Sequence, residues 1–231
     1  MAPTVQGWLG QNCSFLRISS HNLRVPQETL DELLKLVRDN YDEGLRISER
    51  VPISKGSKRI GLGTISLSIP EYGILGKQIS VFFDATKLSG RKGSAAVTDD
   101  KSAVLRITVG RFFNLEQALL TATHELSHLC DPKIWKGITT PVSPYSDSYS
   151  KSLVEFDAMS KALSSFAASH PEKHAEFMEW MRGTGPFPVP ERNLWVEEWA
   201  KYPSLIKVFK QRLYHEIMES KKRQELPADG L

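Results

Sequence analysis

The sequence predicts an α+β fold: a small mixed or antiparallel sheet, then a mainly helical C-terminal part. Three observations carry this. One amphipathic helix pattern opens the interpretable part of the chain. Three strand-like runs lie between residues 60 and 109, and helical periodicity dominates from residue 114 onward. With 231 residues, 40% of them hydrophobic and 25% charged, the chain is long enough to bury a core and has a globular composition.

Each element follows from its pattern. Pro26 to Tyr41 reads as a helix, because Pro26 suits a first turn and Leu30, Leu33, Leu34 and Val37 recur at helical spacing. The polar stretch Ser54-Lys55-Gly56-Ser57-Lys58 separates it from the strands. Ile60 to Ile69 alternates, with Ile65, Leu67 and Ile69 on one side and Thr64, Ser66 and Ser68 on the other. Gln78 to Asp84 and Ala103 to Val109 are the other two strands. Between them, Thr86 to Ser102 is polar and glycine-containing, and a long flexible connection outside the core is expected there. Asn114 and Gln117 form a capping-box pattern. The helix they open is expected to reach about Cys130 and stop before Pro132, because the residue before a proline resists helical geometry. After a Pro-, Ser- and Tyr-rich loop from Thr139 to Ser150, helices are expected over Lys151 to Ser169, Pro171 to Arg182, Glu191 to Tyr202 and Pro203 to Glu225. A stiff linker, Gly183 to Pro190, interrupts them.

Composition narrows the function classes. A net charge of +3 is too small to point to nucleic acid as a main partner. The run Lys221-Lys222-Arg223 reads as a solvated helix end, where cations complement the helix dipole. Two cysteines, Cys13 and Cys130, form no Cys-x-x-Cys pair and imply no disulfide framework, which fits a reducing compartment. No secretory signal pattern and no bilayer-spanning apolar run is visible, so a cytoplasmic site of synthesis is expected. Signal-independent delivery or virion association is compatible with the same pattern.

The chemistry lies in His124-Glu125-Leu126-Ser127-His128. On the helix from Asn114 to Cys130, Leu115, Ala118, Leu119, Ala122, Leu126 and Leu129 form the apolar face. The two histidines, four residues apart, sit one turn apart and about 40° from each other on the wheel. They are expected to project together, away from the core, with Glu125 on their flank. Two nitrogen ligands on one rigid element, with a carboxylate beside them, is what zinc-assisted hydrolysis requires. A chance match would fall anywhere; this one falls mid-helix, after a strand. Cys130 points to another side of the helix and reads as a small core residue, so a closed structural zinc site is not favoured.

A third protein ligand is needed. The extended pattern with a third histidine would place it at residue 134, which is Ile134, so that pattern is absent. Glu155, near the start of a later helix, is the candidate. Asp157 is about 200° round the helix from Glu155 and is instead expected behind the ligands, accepting a hydrogen bond from one imidazole. Asp131 is a second candidate for that role, or a cap at Pro132. His170 and His174 share the four-residue spacing but have Pro171 where the glutamate would stand, and they read as surface residues.

His124-Glu125-Leu126-Ser127-His128 followed by Glu155 resembles the gluzincin group of zinc metallopeptidases. Glu155-Phe156-Asp157-Ala158 is similar to the second motif of small gluzincin-like domains from phage, polymorphic-toxin and effector proteins. The likeness covers about Leu105 to Leu163. It implies a zincin-like fold, with residues 1–182 as the metallopeptidase domain and 183–231 as a helical extension packed on it, or one single domain. It also implies a substrate-binding edge strand upstream of the motif helix, which Ala103 to Val109 fits, with Leu105 and Ile107 as its contact positions.

The expected function is zinc-dependent hydrolysis of peptide bonds, endopeptidase cleavage favoured. His124, His128 and Glu155 hold zinc, and Glu125 is the general base toward a water that the ion activates. For the oxyanion stabiliser, Tyr149 ranks ahead of Tyr145, Tyr214 and His215 by proximity in sequence. The partner is a protein or peptide substrate, with no membrane and no nucleic acid. A non-catalytic zincin-like binding module of a virion or secretion complex is the alternative.

Overall fold

The structure, a computed structural model, describes residues 25–88, 92–137 and 153–225. They form two compact units, residues 25–137 and 153–225. The fold is α+β, with a four-stranded mixed sheet confined to the first unit.

The first unit opens with α1, Gln27–Arg50. Leu30, Leu33, Leu34 and Val37 are buried along it as their spacing predicts. The helix runs nine residues beyond Tyr41, and Gly44 explains why. A Cβ there would lie 2.8 Å from Phe83 Cδ2 and 3.0 Å from Val109 Cγ1, so the helix continues by laying bare backbone on the sheet. The strands are β1 (Ser57–Ile69), β2 (Ile74–Thr86), β3 (Gly93–Val97) and β4 (Ser102–Val109), in the order β1-β2-β4-β3. β1 and β2 are antiparallel, β2 and β4 parallel, β3 and β4 antiparallel.

The alternation in β1 holds, with Ile65, Leu67 and Ile69 buried and Thr64, Ser66 and Ser68 exposed. The same period places Ile79, Val81, Phe83 and Ala85 of β2, and Ala103, Leu105, Ile107 and Val109 of β4, in one apolar cluster with α1 and with α2, Leu115–Leu129. α3 is a single turn, Pro132–Trp135, capped by Asp131, whose carboxylate accepts from the Lys133 N–H. Asp131 therefore has the capping role.

Two expectations for this unit are corrected. The stretch Thr86 to Ser102 contains β3, so only part of it is connection. Its Gly-Ser-Ala-Ala-Val composition lacks large apolar residues, and pairing with β4 supplies what local propensity does not. The strand Ala103–Val109 is not an edge. β2 pairs with one side of it and β3 with the other, and Leu105 and Ile107 are fully buried in the core.

The second unit is helical: α4 (Leu153–Ser169), α5 (His174–Arg182), α6 (Asn193–Ala200) and α7 (Pro203–Glu225). Its core joins Phe156, Met159, Leu163 and Phe166 of α4 to Leu205, Phe209, Leu213 and Ile217 of α7. α5 ends on Gly183 in the left-handed conformation, where Gly183 N–H bonds to Trp180 O and Thr184 N–H to Glu179 O. The Gly183–Pro190 linker is anchored by Phe187, whose ring lies 5.0 Å from that of Trp180 and 6.1 Å from that of Phe209. His174 is not a surface residue. It is 5% exposed, and its Nε2 donates to Ala167 O at 2.9 Å. With His170 Nδ1 donating to Phe166 O and Ser220 Oγ to Ala168 O, it satisfies the carbonyls left open at the C-terminus of α4. Arg223 and Lys222 are exposed at the end of α7, the latter paired with Glu219. No helix among the described residues is long and apolar enough to cross a membrane.

Candidate metal centre

α2 supplies the centre of the site. Asn114 accepts from the Gln117 N–H at 2.8 Å while the Gln117 side chain takes the Asn114 N–H, so both ends of the capping box are made. At the other end, Trp135 Nε1 donates to Leu129 O at 2.7 Å and ties down the last turn. Thr123 Oγ1 bonds to Leu119 O and Ser127 Oγ to Thr123 O, so hydroxyls inside the helix are satisfied locally. The segment bearing His124 and His128 is thus fixed at both ends before any ligand arrives.

His124 and His128 project together as their spacing requires. Their Nε2 atoms are 3.1 Å apart, with ring planes at 84°. The apolar cluster takes Ala118, Ala122, Leu126, Leu129 and Cys130 and includes neither histidine nor Glu125. The polar face is not open to solvent: His124 is 4% and Glu125 7% exposed, and only His128 is half-buried.

Glu155, in the first turn of α4, is 2% exposed. One ligand atom each from His124, His128 and Glu155 lies within 4.8 Å of the others. Two imidazole nitrogens on a tetrahedral zinc with bonds of about 2.0–2.1 Å stand about 3.3 Å apart. The observed 3.1 Å matches that edge. Two borderline nitrogen donors and one carboxylate form a donor set suited to zinc, so these residues fit the ion.

Glu125 has a neighbour that the sequence reading missed. Gly93, the first residue of β3, is buried directly against it. A Cβ on Gly93 would lie 2.8 Å from Glu125 Oε1 and 2.6 Å from Thr121 Cγ2. No local pattern marks it: β3 is short and poor in large apolar residues, and its pairing with β4 is what brings Gly93 there.

Other expected site residues fall elsewhere. Asp157 does not serve an imidazole. Its Oδ1 accepts from Arg212 Nη2 at 2.7 Å and its Oδ2 from Lys161 Nζ, which occupies both oxygens. Burial pushes the Asp157 carboxyl up, but Lys161 and Arg212 outweigh it and hold the group below the usual carboxylate range. Leu105 and Ile107 belong to the core, as described. Tyr149 and Tyr145 lie outside the described residues, as does Cys13. Tyr214 is 49% exposed and His215 is also exposed, both on α7. Compared with protein-family models, curated proteins and solved structures, the chain matches none.

Proposed function

We propose that this chain is a zinc-dependent peptidase of gluzincin type. The observation that carries the reading is the grouping of His124, His128 and Glu155 around one point, with Glu125 next to His124 on a helix capped at both ends. When bound, zinc supplies Lewis acidity, polarising the scissile carbonyl and making a water acidic enough to attack near neutral pH. His124, His128 and Glu155 hold the ion. Glu125 takes the proton of the attacking water and delivers it to the leaving amine. Tyr149 is the candidate donor to the oxyanion.

An extended peptide has a natural partner in β3. Thr108 N–H bonds to Lys92 O and Thr98 N–H to Ser102 O, so in this antiparallel pair the backbone groups of Gly93, Ala95 and Val97 turn away from β4. Among the described residues no strand pairs with that edge. The Gly93 end of it meets Glu125, so a strand added there runs past the general base.

Glu125→Gln tests the reading. The variant is expected to retain zinc in metal analysis and to lower turnover by about 10²–10⁴-fold, the usual share of general acid–base catalysis. A proteome-wide survey of new N-termini, run with wild type and with the variant, reports activity and target together. Zinc bound by both forms with cleavage by neither leaves a non-catalytic binding module. A purified protein without zinc and indifferent to chelators removes the metal reading altogether.

A further inference from the structure

We propose that Arg212 of α7 is a positioning residue for Glu155, setting the rotation of α4 so that the third carboxylate reaches the ion. This rests on the zinc reading above.

Glu155 stands in the first turn of α4, where N–H groups lack helical partners and the chain is least constrained by its own hydrogen bonds. The apolar contacts between α4 and α7, from Phe156 to Phe166 and from Leu205 to Ile217, hold the two helices together. Such ridges tolerate small rotations, because their attraction is non-directional. Tolerance at the metal is much smaller. A carboxylate about 5–6 Å from the helix axis moves about 1 Å when the helix turns by about 10°, whereas ligand distances are held to about 0.2 Å.

Arg212 supplies a directional restraint at the end of α4 that bears Glu155, as Ser220 does at the other end through Ala168 O. Its Nη2 donates to Asp157 Oδ1 at 2.7 Å, two residues beyond Glu155. Its Nη1 donates to Ser160 Oγ and reaches the Asp157 carbonyl oxygen at 3.5 Å. One planar guanidinium therefore grips α4 by two side chains and by the backbone. Lys161 completes the group on Asp157 Oδ2. The Arg212 and Lys161 side chains are 9% and 8% exposed, so solvent and salt screen these bonds little. Replacing a buried ion pair by apolar residues often costs little stability. A group that contributes direction more than stability is what a metal ligand in the first turn of a helix requires. Lysine, a flexible point charge, lacks the fork.

The test reads zinc affinity by competition with a chromophoric chelator, on the full chain, at a temperature where every variant is folded. Arg212→Met is expected to weaken zinc about 10–100-fold, the usual effect of losing a group that orients a ligand. Arg212→Lys is expected to weaken it as well, and it is the variant to read if Arg212→Met does not fold. The paired change Asp157→Leu with Arg212→Met is expected to regain thermal stability without regaining affinity. With cobalt in place of zinc, the d–d spectra of Arg212→Met and Glu155→Gln are expected to shift in the same direction. Wild-type affinity in a folded Arg212→Met, or in Arg212→Lys where that is the variant read, overturns the proposal while leaving the zinc reading intact. A wild-type protein that binds no zinc, or whose binding survives His124→Ala, overturns both.

Discussion

Replacing Gly93 by alanine inserts one methyl group between β3 and the carboxylate assigned as general base. Its Cβ would lie 2.6 Å from Thr121 Cγ2, 2.8 Å from Glu125 Oε1 and 2.9 Å from Glu125 Cγ. Carbon atoms in contact ordinarily sit about 3.5–4.0 Å apart, so about 1 Å has to be found. Thr121 is 4% exposed and β-branched, and it yields little. Glu125, with its longer side chain, moves instead. Overpacking of this kind costs about 1–3 kcal/mol, a fall in unfolding temperature of roughly 5 °C for a protein of this size. Displacing a reacting group by about 1 Å costs about 100-fold in rate, or about 2.7 kcal/mol of transition-state stabilisation. The imidazole nitrogens are untouched, so zinc affinity is expected to hold. The assay compares thermal unfolding, zinc titration and the initial rate of cleavage of a peptide library for wild type, Gly93→Ala, and Gly93→Ala combined with Thr121→Ala. The double variant removes the Thr121 contact and is expected to recover stability but not rate. A single variant with wild-type stability and wild-type rate would refute the reasoning, because neither the close approach nor the placement of Glu125 would then matter.

Two further outcomes follow from the same geometry. Zinc at about 100 times its dissociation constant should stabilise the chain by about 2.7 kcal/mol, raising the unfolding temperature by roughly 5–10 °C; His124→Ala should abolish the rise, and calorimetry showing no rise in wild type counts against the metal reading. Tyr41 Oη donates to Phe113 O at 2.5 Å, and burial, then Asp42, push its phenol up. A folded pKa above the unfolded one means this contribution is complete below about pH 10 and is lost as pH rises through the raised value. Tyr41→Phe should therefore cost about 1 kcal/mol at neutral pH, with a gap from wild type that closes in alkali. A gap that stays constant through the tyrosine titration, followed by tyrosinate absorbance, contradicts this.

What was legible in the sequence was what local periodicity and local hydrogen bonding decide. The capping box at Asn114, the stop before Pro132, the alternation in β1 and the span of α7 are each determined within a few residues. The juxtaposition of His124 and His128 belongs with them, because a four-residue spacing on a helix brings two side chains together whatever surrounds it. Features that depend on distant chain were not legible. β3 has weak local propensity and exists through its pairing with β4, and that pairing turns the expected edge strand into an interior one. The expected helix ends at Tyr41, and only Phe83 and Val109 show why a glycine stands at residue 44 inside the longer one. Asp157 meets Arg212 across fifty-five residues, which no periodicity encodes. The sequence by itself determined the donor types and their spacing on one helix. Only the tertiary structure decided that His124 and Glu125 are buried, that Gly93 presses on Glu125, and that Asp157 is committed to Arg212 and Lys161. Burial and long-range contact are properties of the packed chain, set by which surfaces exclude water from one another, and no single segment carries that information.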